Sequence, residues 1–258
     1  MKKIISIIMA CVMLMACTAM FASCGEKEEF VIGITYFEPM NYFDENGKLT
    51  GFETEFAEAV CKKLGLTPKF VEIEWATKEI ELNAGNIDCI WNGMTITAER
   101  QETMGISAPY MENKQVLVTK AENVAKYSTA DGLAGAKICA ESGSAGEEVI
   151  LTDAIFADAT YVEVGSMAMA LLEVASGTSD ACVIDFVTSI GMIGDDTDYA
   201  DLAVVDAYEF ALEYYGIAFR KTDTATLDDF NKAIAELMED GTIAEIAKKY
   251  KLEGQLVK

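Results

Sequence analysis

Histidine is absent from this chain of 258 residues, and basic residues are scarce, with 20 lysines and arginines against 43 aspartates and glutamates. The absence of histidine removes the commonest general base and the commonest zinc ligand. The net charge of −23 argues against nucleic-acid binding, which needs basic patches. We therefore expect no metal, no cofactor and no nucleic-acid partner.

One apolar run of membrane length is present, over residues 4–22, and it follows two lysines near the start of the chain. Small residues and then Cys24 come after it. This order is typical of a secretory signal, and it resembles a bacterial lipoprotein box with Cys24 as the acylated residue. An uncleaved transmembrane anchor is the alternative. We expect a lipid-anchored protein on the extracellular face of the cell membrane.

Four cysteines lie beyond this segment, at positions 61, 89, 139 and 182, and their spacing matches no CxxC metal pattern. The last three occupy apolar runs typical of strands. We expect buried free thiols, with a disulfide as the alternative.

The remaining chain repeats one plan in two halves. Apolar runs typical of strands recur at 30–34, 69–73, 87–90, 137–140, 161–164 and 180–184. Helical patterns lie between them, at 52–64 and 79–82 and in segments that open at Ser144 and Ser166. Alternating strands and helices predict parallel sheets covered on both faces, and two such units predict two lobes.

The segment from Trp91 to Arg100 follows a buried strand in the first half, and Asp185 follows one in the second. Open parallel sheets bind ligands at the carboxyl ends of their strands. We interpret the segment as a loop that presents a backbone carbonyl, threonine hydroxyls and the Arg100 guanidinium, with Thr97 capping a short helix. Such groups can hold a small zwitterion, because arginine matches a carboxylate and a carbonyl accepts from an ammonium. A surface arginine after an ordinary turn is the alternative.

Two more helices are predicted near the C-terminus, one starting near Thr226 and one at the capping box Thr242-Ile243-Ala244-Glu245. We interpret 110–115 and 210–215 as crossings that return these helices to the first lobe. The predicted organisation is a signal peptide over 1–24, a tether over 25–29, lobe 1 over 30–112 and 212–258, and lobe 2 over 113–211.

From Val31 to Tyr250 the chain resembles the polar amino-acid family of bacterial extracellular solute-binding proteins, which deliver ligands to ABC importers. The matching segments are 41–52, 93–100, 107–110, 179–185 and 215–220. The resemblance implies a two-lobed α/β fold of the type II periplasmic-binding-protein class, with each lobe a mostly parallel sheet and the ligand in the cleft. It also implies an ABC permease as partner, and we expect a monomer.

The resemblance implies roles for several residues. Arg100 would pair with the ligand α-carboxylate, and Asp185 would face the ammonium from the other lobe. The Gly93 carbonyl and the Thr95 hydroxyl would meet the ammonium or bracket the ligand backbone.

Backbone N–H groups of Ser144 and Ala145 would add to the carboxylate site. This expectation also has a physical basis, because Ser144 opens a helix, Glu147 completes a capping box, and helix N-termini favour anions. The family often has threonine at the position of Ala145, so one hydroxyl is missing here.

Phe37 and Trp75 match family positions that sandwich the ligand side chain, with ordinary core packing as the alternative. Whether Tyr36 or Phe37 lines the ligand is open. Glu141 stands where the family touches the distal end of the ligand, and there it would favour a cationic side chain such as that of lysine or arginine. A solvated carboxylate at a strand end is the alternative.

Three functions are compatible with these patterns. A binding protein for amino-acid transport is the leading hypothesis, and the protein is then not an enzyme. A dehydratase of the cyclohexadienyl or arogenate type shares the fold, but no residue in the sequence marks the carboxyl acid it needs. A ligand sensor that docks on a membrane receptor is the third.

Overall fold

The computed structural model describes residues 29–258. The predicted signal peptide, the lipidation site Cys24 and most of the tether lie outside these residues. The first strand begins at Glu29, the last residue of the predicted tether. Within 29–258, no helix is both long enough and apolar enough to cross a membrane.

Strands and helices alternate along the described chain. The strands are β1 (Glu29–Ile34), β2 (Tyr42–Phe43), β3 (Leu49–Thr50), β4 (Thr67–Glu72), β5 (Cys89–Thr95), β6 (Met104–Ile106), β7 (Met111–Lys120), β8 (Lys137–Glu141), β9 (Thr160–Val164), β10 (Ala181–Asp185), β11 (Leu202–Val204) and β12 (Leu212–Arg220). The α-helices are α1 (Phe52–Leu64), α2 (Lys78–Ala84), α3 (Ala98–Thr103), α4 (Val124–Tyr127), α5 (Ala130–Leu133), α6 (Ala145–Thr152), α7 (Met167–Ser176), α8 (Phe186–Met192), α9 (Thr224–Glu239) and α10 (Thr242–Lys249).

One mixed sheet carries most of the strands, in the order β4-β1-β5-β12-β7-β10-β8-β9. β1 pairs in parallel with β4 and β5 at one end of the sheet. β8 pairs in parallel with β9 and β10 at the other end. β7 and β12 lie between these two parallel units and run antiparallel to each other and to their neighbours. The fold is therefore α/β, with two mostly parallel units flanked by helices.

The two central strands connect the units. β7 pairs with β12 over Met111–Lys114 and with β10 over Gln115–Thr119. β12 pairs with β7 over Leu212–Tyr215 and continues beside β5. Each strand thus leaves one unit and enters the other, and the segments interpreted as crossings lie in this pair.

The amphipathic stripe of α1 forms the core of the first unit, because Phe52, Phe56 and Val60 are all buried. Helices α9 and α10 pack against α1, and the ring of Phe230 on α9 lies 4.8 Å from the ring of Phe30 on β1. The C-terminal helices therefore return to the first unit. This agrees with the prediction that the chain crosses back at 210–215.

Two local predictions were wrong. Strand β5 continues to Thr95, so Gly93 and Thr95 lie in a strand rather than in a loop, because Met94 and Thr95 pair with β12. Strand β12 lies in the C-terminal part of the chain, so the local sequence around β5 does not predict this pairing. Helix α10 is preceded by Gly241 in the left-handed conformation and has no Thr242 cap, because the Thr242 N–H donates to the Asp240 carboxylate.

Candidate functional site

Arg100 lies where the two parallel units meet. It stands on α3, whose first turn is capped by the Thr97 hydroxyl accepting from the Arg100 N–H at 3.2 Å, as predicted. The guanidinium donates to the Thr95 carbonyl of the first unit at 2.8 Å and to the Gly143 carbonyl of the second at 3.1 Å. Burial lowers the pKa of Arg100, which nonetheless stays charged at neutral pH.

A second cation, Lys78, accompanies Arg100. Its buried ammonium donates to the Trp75 carbonyl at 3.1 Å and to the Gly143 carbonyl at 3.0 Å, and it lies 4.6 Å from the centroid of the Trp75 ring. Burial, with the positive charge of Arg100, lowers the pKa of Lys78 to about 8. The Gly143 carbonyl is thus held by two cations of the opposite unit.

The second unit contributes carboxyl groups. Glu141 ends β8 and Asp185 ends the neighbouring strand β10, and each is only 2% exposed. Burial, with the negative charge of Asp185, raises the pKa of Glu141 to about 8, although Lys78 acts in the opposite direction.

Asp185 shares its hydrogen-bond donors with Glu213 of β12. The Asn113 side-chain amide donates to Asp185 at 2.9 Å and to Glu213 at 3.1 Å. The Gln115 amide donates to the same two carboxylates at 2.5 and 3.0 Å, and the Thr95 hydroxyl donates to Glu213 at 3.0 Å. Burial and the negative charge of Glu213 raise the pKa of Asp185 to about 7.

Unpartnered polar atoms cluster beside Asp185. Buried polar groups normally have hydrogen-bond partners, so the exceptions need an explanation. Among the described residues, the buried atoms without a partner include Gln115 Oε1, Glu141 Oε1 and the Tyr215 hydroxyl. Gln115 donates to Asp185, while Glu141 and Tyr215 respond to the Asp185 charge. These atoms mark a place where a polar ligand would complete the hydrogen bonding.

The three aromatic side chains considered for the site pack against different neighbours. Phe37 is buried against Gly93, where an added Cβ would lie 3.2 Å from the Phe37 ring and 3.3 Å from the Tyr215 ring. Tyr36 instead packs on Phe43, with the ring centroids 5.0 Å apart. The structure therefore brings the Phe37 ring to Gly93 of β5. Trp75 is also buried, beneath the ammonium of Lys78.

Helix α6 begins at the site as predicted, with the Ser144 hydroxyl accepting from the Glu147 N–H at 3.1 Å. The reciprocal capping-box bond is different from the one predicted, because the Glu147 carboxylate accepts from the Gly143 N–H at 2.7 Å. The Ser144 N–H donates to the Glu141 carbonyl at 3.2 Å. Ala145 is the first helical residue, so its N–H has no acceptor within the helix.

Below β5 lies a further buried carboxyl, Glu53 of α1. It accepts from the Gly93 N–H at 2.8 Å, from the Asn41 amide at 3.1 Å and from the Tyr110 hydroxyl. Burial raises the pKa of Glu53 to about 7 in spite of these bonds. Glu53 thus ties helix α1 to the site strand and to the residue that precedes β7.

Sequence reasoning missed Lys78, Glu53, Glu213 and the amide pair Asn113 and Gln115. A signal existed for the amides, since two buried polar residues at alternate positions of one strand share a face. Glu213 could not be found in this way, because its place opposite Asn113 depends on the register of β12 against β7.

The cysteines at 61, 89, 139 and 182 are buried and form no disulfide, in agreement with the expected free thiols. Over residues 29–258, no three histidine, cysteine, aspartate or glutamate side chains are grouped so that they could hold a metal ion.

The mixed α/β sheet, with a polar site where its two units meet, defines the class, since the structural neighbours are periplasmic amino-acid-binding proteins. The chain belongs to the bacterial extracellular solute-binding proteins, family 3, whose model matches residues 30–253. Members of this family bind small amino-acid ligands and deliver them to ABC permeases.

Three similar proteins are informative. The L-cystine-binding protein TcyJ of Escherichia coli K12 is 28% identical, over 87% of this chain and 83% of TcyJ. An ancestral arginine-binding protein solved with arginine is 32% identical, has a TM-score of 0.78 and is matched over 88% of this chain and 99% of its own. The ancestral amino-acid-binding protein AncCDT-1, a precursor of cyclohexadienyl dehydratase, is 29% identical, has a TM-score of 0.77 and is matched over 86% and 95%.

Proposed function

We propose that this protein is the extracellular amino-acid-binding component of an ABC import system and that its ligand is a cationic amino acid. The observation that carries the choice of ligand is the buried Glu141 carboxyl, whose Oε1 has no hydrogen-bond partner among the described residues. Burial raises the pKa of Glu141 to about 8, so this carboxyl holds a proton at neutral pH. The side chain of arginine or lysine would supply a donor and a positive charge that stabilise the ionised Glu141, whereas a neutral side chain would not.

In the proposed pose, Arg100 binds the ligand α-carboxylate. A guanidinium has five N–H donors and two nitrogens are already engaged by carbonyls, so donors remain on a planar fork that fits a carboxylate. The Ala145 N–H at the start of α6 adds a backbone donor for the carboxylate. The expected Ser144 N–H is not available in this structure, because it donates to the Glu141 carbonyl. Asp185 lies on the facing side and binds the α-ammonium.

The ligand side chain lies between Phe37 and Trp75 and reaches Glu141 at its far end. The unpartnered Glu141 Oε1 supports this direction, because a guanidinium or ammonium supplies the donor that the buried carboxyl lacks. Gly93 and Thr95 line the ligand backbone, and any side chain at Gly93 would meet the ring of Phe37.

Binding couples to closure in this proposal. The two predicted lobes, 30–112 with 212–258 and 113–211, are joined through the paired strands β7 and β12, which serve as the hinge. Arg100 and Asp185 approach one ligand only when the lobes close, and closure excludes water and strengthens each charged contact.

A thermal-shift screen tests the ligand class. L-arginine and L-lysine should raise the melting temperature more than L-glutamine, L-histidine or L-cystine, because a ligand at a hundred times its Kd stabilises by about 2.7 kcal/mol. Glu141→Gln should abolish the preference for cationic ligands. Glu163→Gln is the matched control, since Glu163 pairs with Ala140 on the adjacent strand but is exposed. A larger shift with L-cystine or L-glutamine in the wild type would contradict the cationic assignment.

The membrane anchor is part of the proposal. A signal peptide over 1–24 and acylation of Cys24 would hold the monomer at the extracellular face beside its permease, since each buried methylene adds about 0.8 kcal/mol. Mass spectrometry of protein purified from membranes should show lipid on an N-terminal Cys24. Release of unmodified, full-length wild-type protein into the medium would contradict the anchor.

An enzyme is the second candidate, and Glu141 is the residue that favours it. A buried carboxyl with a pKa near 8 holds a proton at neutral pH, as a general acid for dehydration requires. The similarity to AncCDT-1 makes the test specific. Incubation with arogenate and prephenate should yield no aromatic product, and turnover that is lost in Glu141→Gln would favour the dehydratase.

A further inference from the structure

We propose that Glu213 is a second carboxylate for the ligand ammonium and that Asp185 keeps a proton beside Glu213 in the ligand-free cleft, which it releases when the ligand binds. This inference rests on the proposed function, because it assigns the chemistry of the ammonium end of that same site.

The geometry of the amide donors carries the inference. Asn113 and Gln115 each use one side-chain nitrogen to donate to both Asp185 Oδ1 and Glu213 Oε2. An amide nitrogen has two protons, so each nitrogen can donate to both carboxyl groups, which are therefore neighbours within reach of the same donors. Two neighbouring carboxyl groups cannot both ionise without cost, and one retains a proton until a cation replaces it.

The pair lies at the hinge rather than on one wall of the cleft. Glu213 of β12 is opposite Asn113 in the pairing of the two central strands, and Asp185 is opposite Gln115 in the pairing of β7 with β10. The Thr95 hydroxyl, which the family resemblance assigns to the ammonium or to the ligand backbone, already donates to Glu213. A ligand ammonium beside Thr95 and Asp185 therefore also meets Glu213.

Other charged groups around the pair do not remove the repulsion. Glu141 on β8 and Glu53 on α1 also face Asp185, and because their pKa values are raised to about 8 and about 7, neither supplies a positive charge that would offset the repulsion. Arg100 on α3 faces both carboxylates and is the one cation that does so among the described groups with a resolved shift. The Tyr110 and Tyr215 hydroxyls also face Asp185, and burial raises the pKa of both well above the usual value, so they stay neutral.

Proton release on binding makes the ligand affinity depend on pH. Because repulsion and burial raise the pKa of Asp185 to about 7, the empty pair keeps a proton at and below neutral pH. A bound ammonium favours the doubly ionised pair, so binding releases a proton, and affinity rises as the pH rises from about 5.5 to 7.5 and then levels off.

The first experiment needs no ligand. Carboxyl carbons of aspartate and glutamate are labelled with ¹³C, and their titration is followed by NMR in the wild type and three variants. Asp185→Asn assigns the signal. Glu213→Gln should lower the midpoint of the Asp185 titration by at least about one pH unit, while Glu112→Gln should leave it unchanged. Glu112 is the matched control because it neighbours Asn113 on β7 and alternation points it to the opposite face. An Asp185 midpoint that is equal in the wild type and Glu213→Gln overturns the claim that Glu213 makes Asp185 keep its proton.

The second experiment uses L-arginine and 5-guanidinopentanoic acid, which lacks the α-amine. Calorimetry at pH 6.5 in two buffers of different ionisation enthalpy should show proton release with L-arginine, and less release in Glu213→Gln. That variant should bind L-arginine about tenfold more weakly and 5-guanidinopentanoic acid nearly as well as the wild type does. Equal losses for both compounds overturn the ammonium contact. If the wild type binds neither compound, the cationic ligand class fails, and the ligand-free titration alone decides whether Glu213 raises the Asp185 midpoint.

Discussion

The two walls of the cleft differ in their ionisable groups, with cations on one wall and carboxyl groups on the other. The first unit contributes the cations Lys78 and Arg100, and both donate to the carbonyl of Gly143 across the cleft. The second unit contributes Glu141 and Asp185 at the ends of adjacent strands. A zwitterion between such walls has one preferred direction, because its carboxylate is attracted to one wall and its ammonium to the other. In the proposed pose, the difference between the walls would orient the ligand before any side-chain contact is made.

Loss of the positive charge of Arg100 should have the largest effect on ligand affinity. Arg100→Ala removes the partner of the ligand carboxylate, and breaking a buried charged pair costs about 3–5 kcal/mol. We expect calorimetry with L-arginine to show a roughly hundred- to several-thousand-fold rise in Kd. Arg100→Lys keeps the charge but loses the planar fork, so it should recover only part of the affinity. Wild-type affinity in a folded Arg100→Ala protein would remove Arg100 from the site.

Neutralising Asp185 should weaken binding less. The size of this loss should depend on whether the ligand has an α-amine. Asp185→Asn preserves the shape and can still accept from Asn113, but it loses the charge that faces the ammonium. We expect binding of L-arginine to weaken about tenfold to a hundredfold. Binding of 5-guanidinopentanoic acid, which lacks the amine, should change little in the same titration. If both compounds lose affinity equally, Asp185 has a structural role only.

The contact between the walls can be opened without touching either set of charges. A Cβ at Gly191 on α8 would lie 2.7 Å from the Pro39 nitrogen of the first unit, which is too close. Gly191→Ala should therefore oppose closure by about 1–3 kcal/mol and weaken binding roughly tenfold. Small-angle X-ray scattering with saturating L-arginine should show a larger radius of gyration for the variant than for the wild type.

Gly194→Ala is the matched control for this closure test. At Gly194 the nearest atom to an added Cβ is 3.9 Å away, so this substitution should leave both closure and affinity unchanged. Equal scattering curves for the ligand-bound wild type and Gly191→Ala would show that this contact does not limit closure.

The smallest effect is on stability. Burial raises the pKa of Glu141 to about 8, so its protonated form is favoured in the folded state. That contribution is fully present below the unfolded pKa and is lost as the pH rises through about 8. The melting temperature of ligand-free protein should fall between pH 5 and 8.5. Glu141→Gln should reduce the fall by at least about 2–4 °C, roughly 1 kcal/mol. An identical pH profile in Glu141→Gln would show that Glu141 titrates normally.

Much of the fold could be predicted from local patterns. The 52–64 helix has the predicted ends, because its apolar stripe faces the core and Gly65 adopts the left-handed conformation beyond it. Thr97, Ser144 and Ser166 cap helices as predicted, because a cap is a contact between residues three positions apart. The extent of β5 was mispredicted, since its pairing partner β12 lies far away in the chain.

The sequence by itself indicated the class of the protein, through the segments that resemble the family, and it placed Arg100 and Asp185 after strands of the two halves. Only the tertiary structure decided the charge balance inside the cleft. Lys78 reaches Gly143 across the two units, and Glu213 meets Asp185 through amide donors on the hinge strands. The physical reason is the sequence separation of the interacting residues. Helix caps and amphipathic stripes depend on residues that are neighbours in the sequence. The ionisation of a buried carboxyl depends instead on charges that strand register and lobe closure bring within a few ångströms.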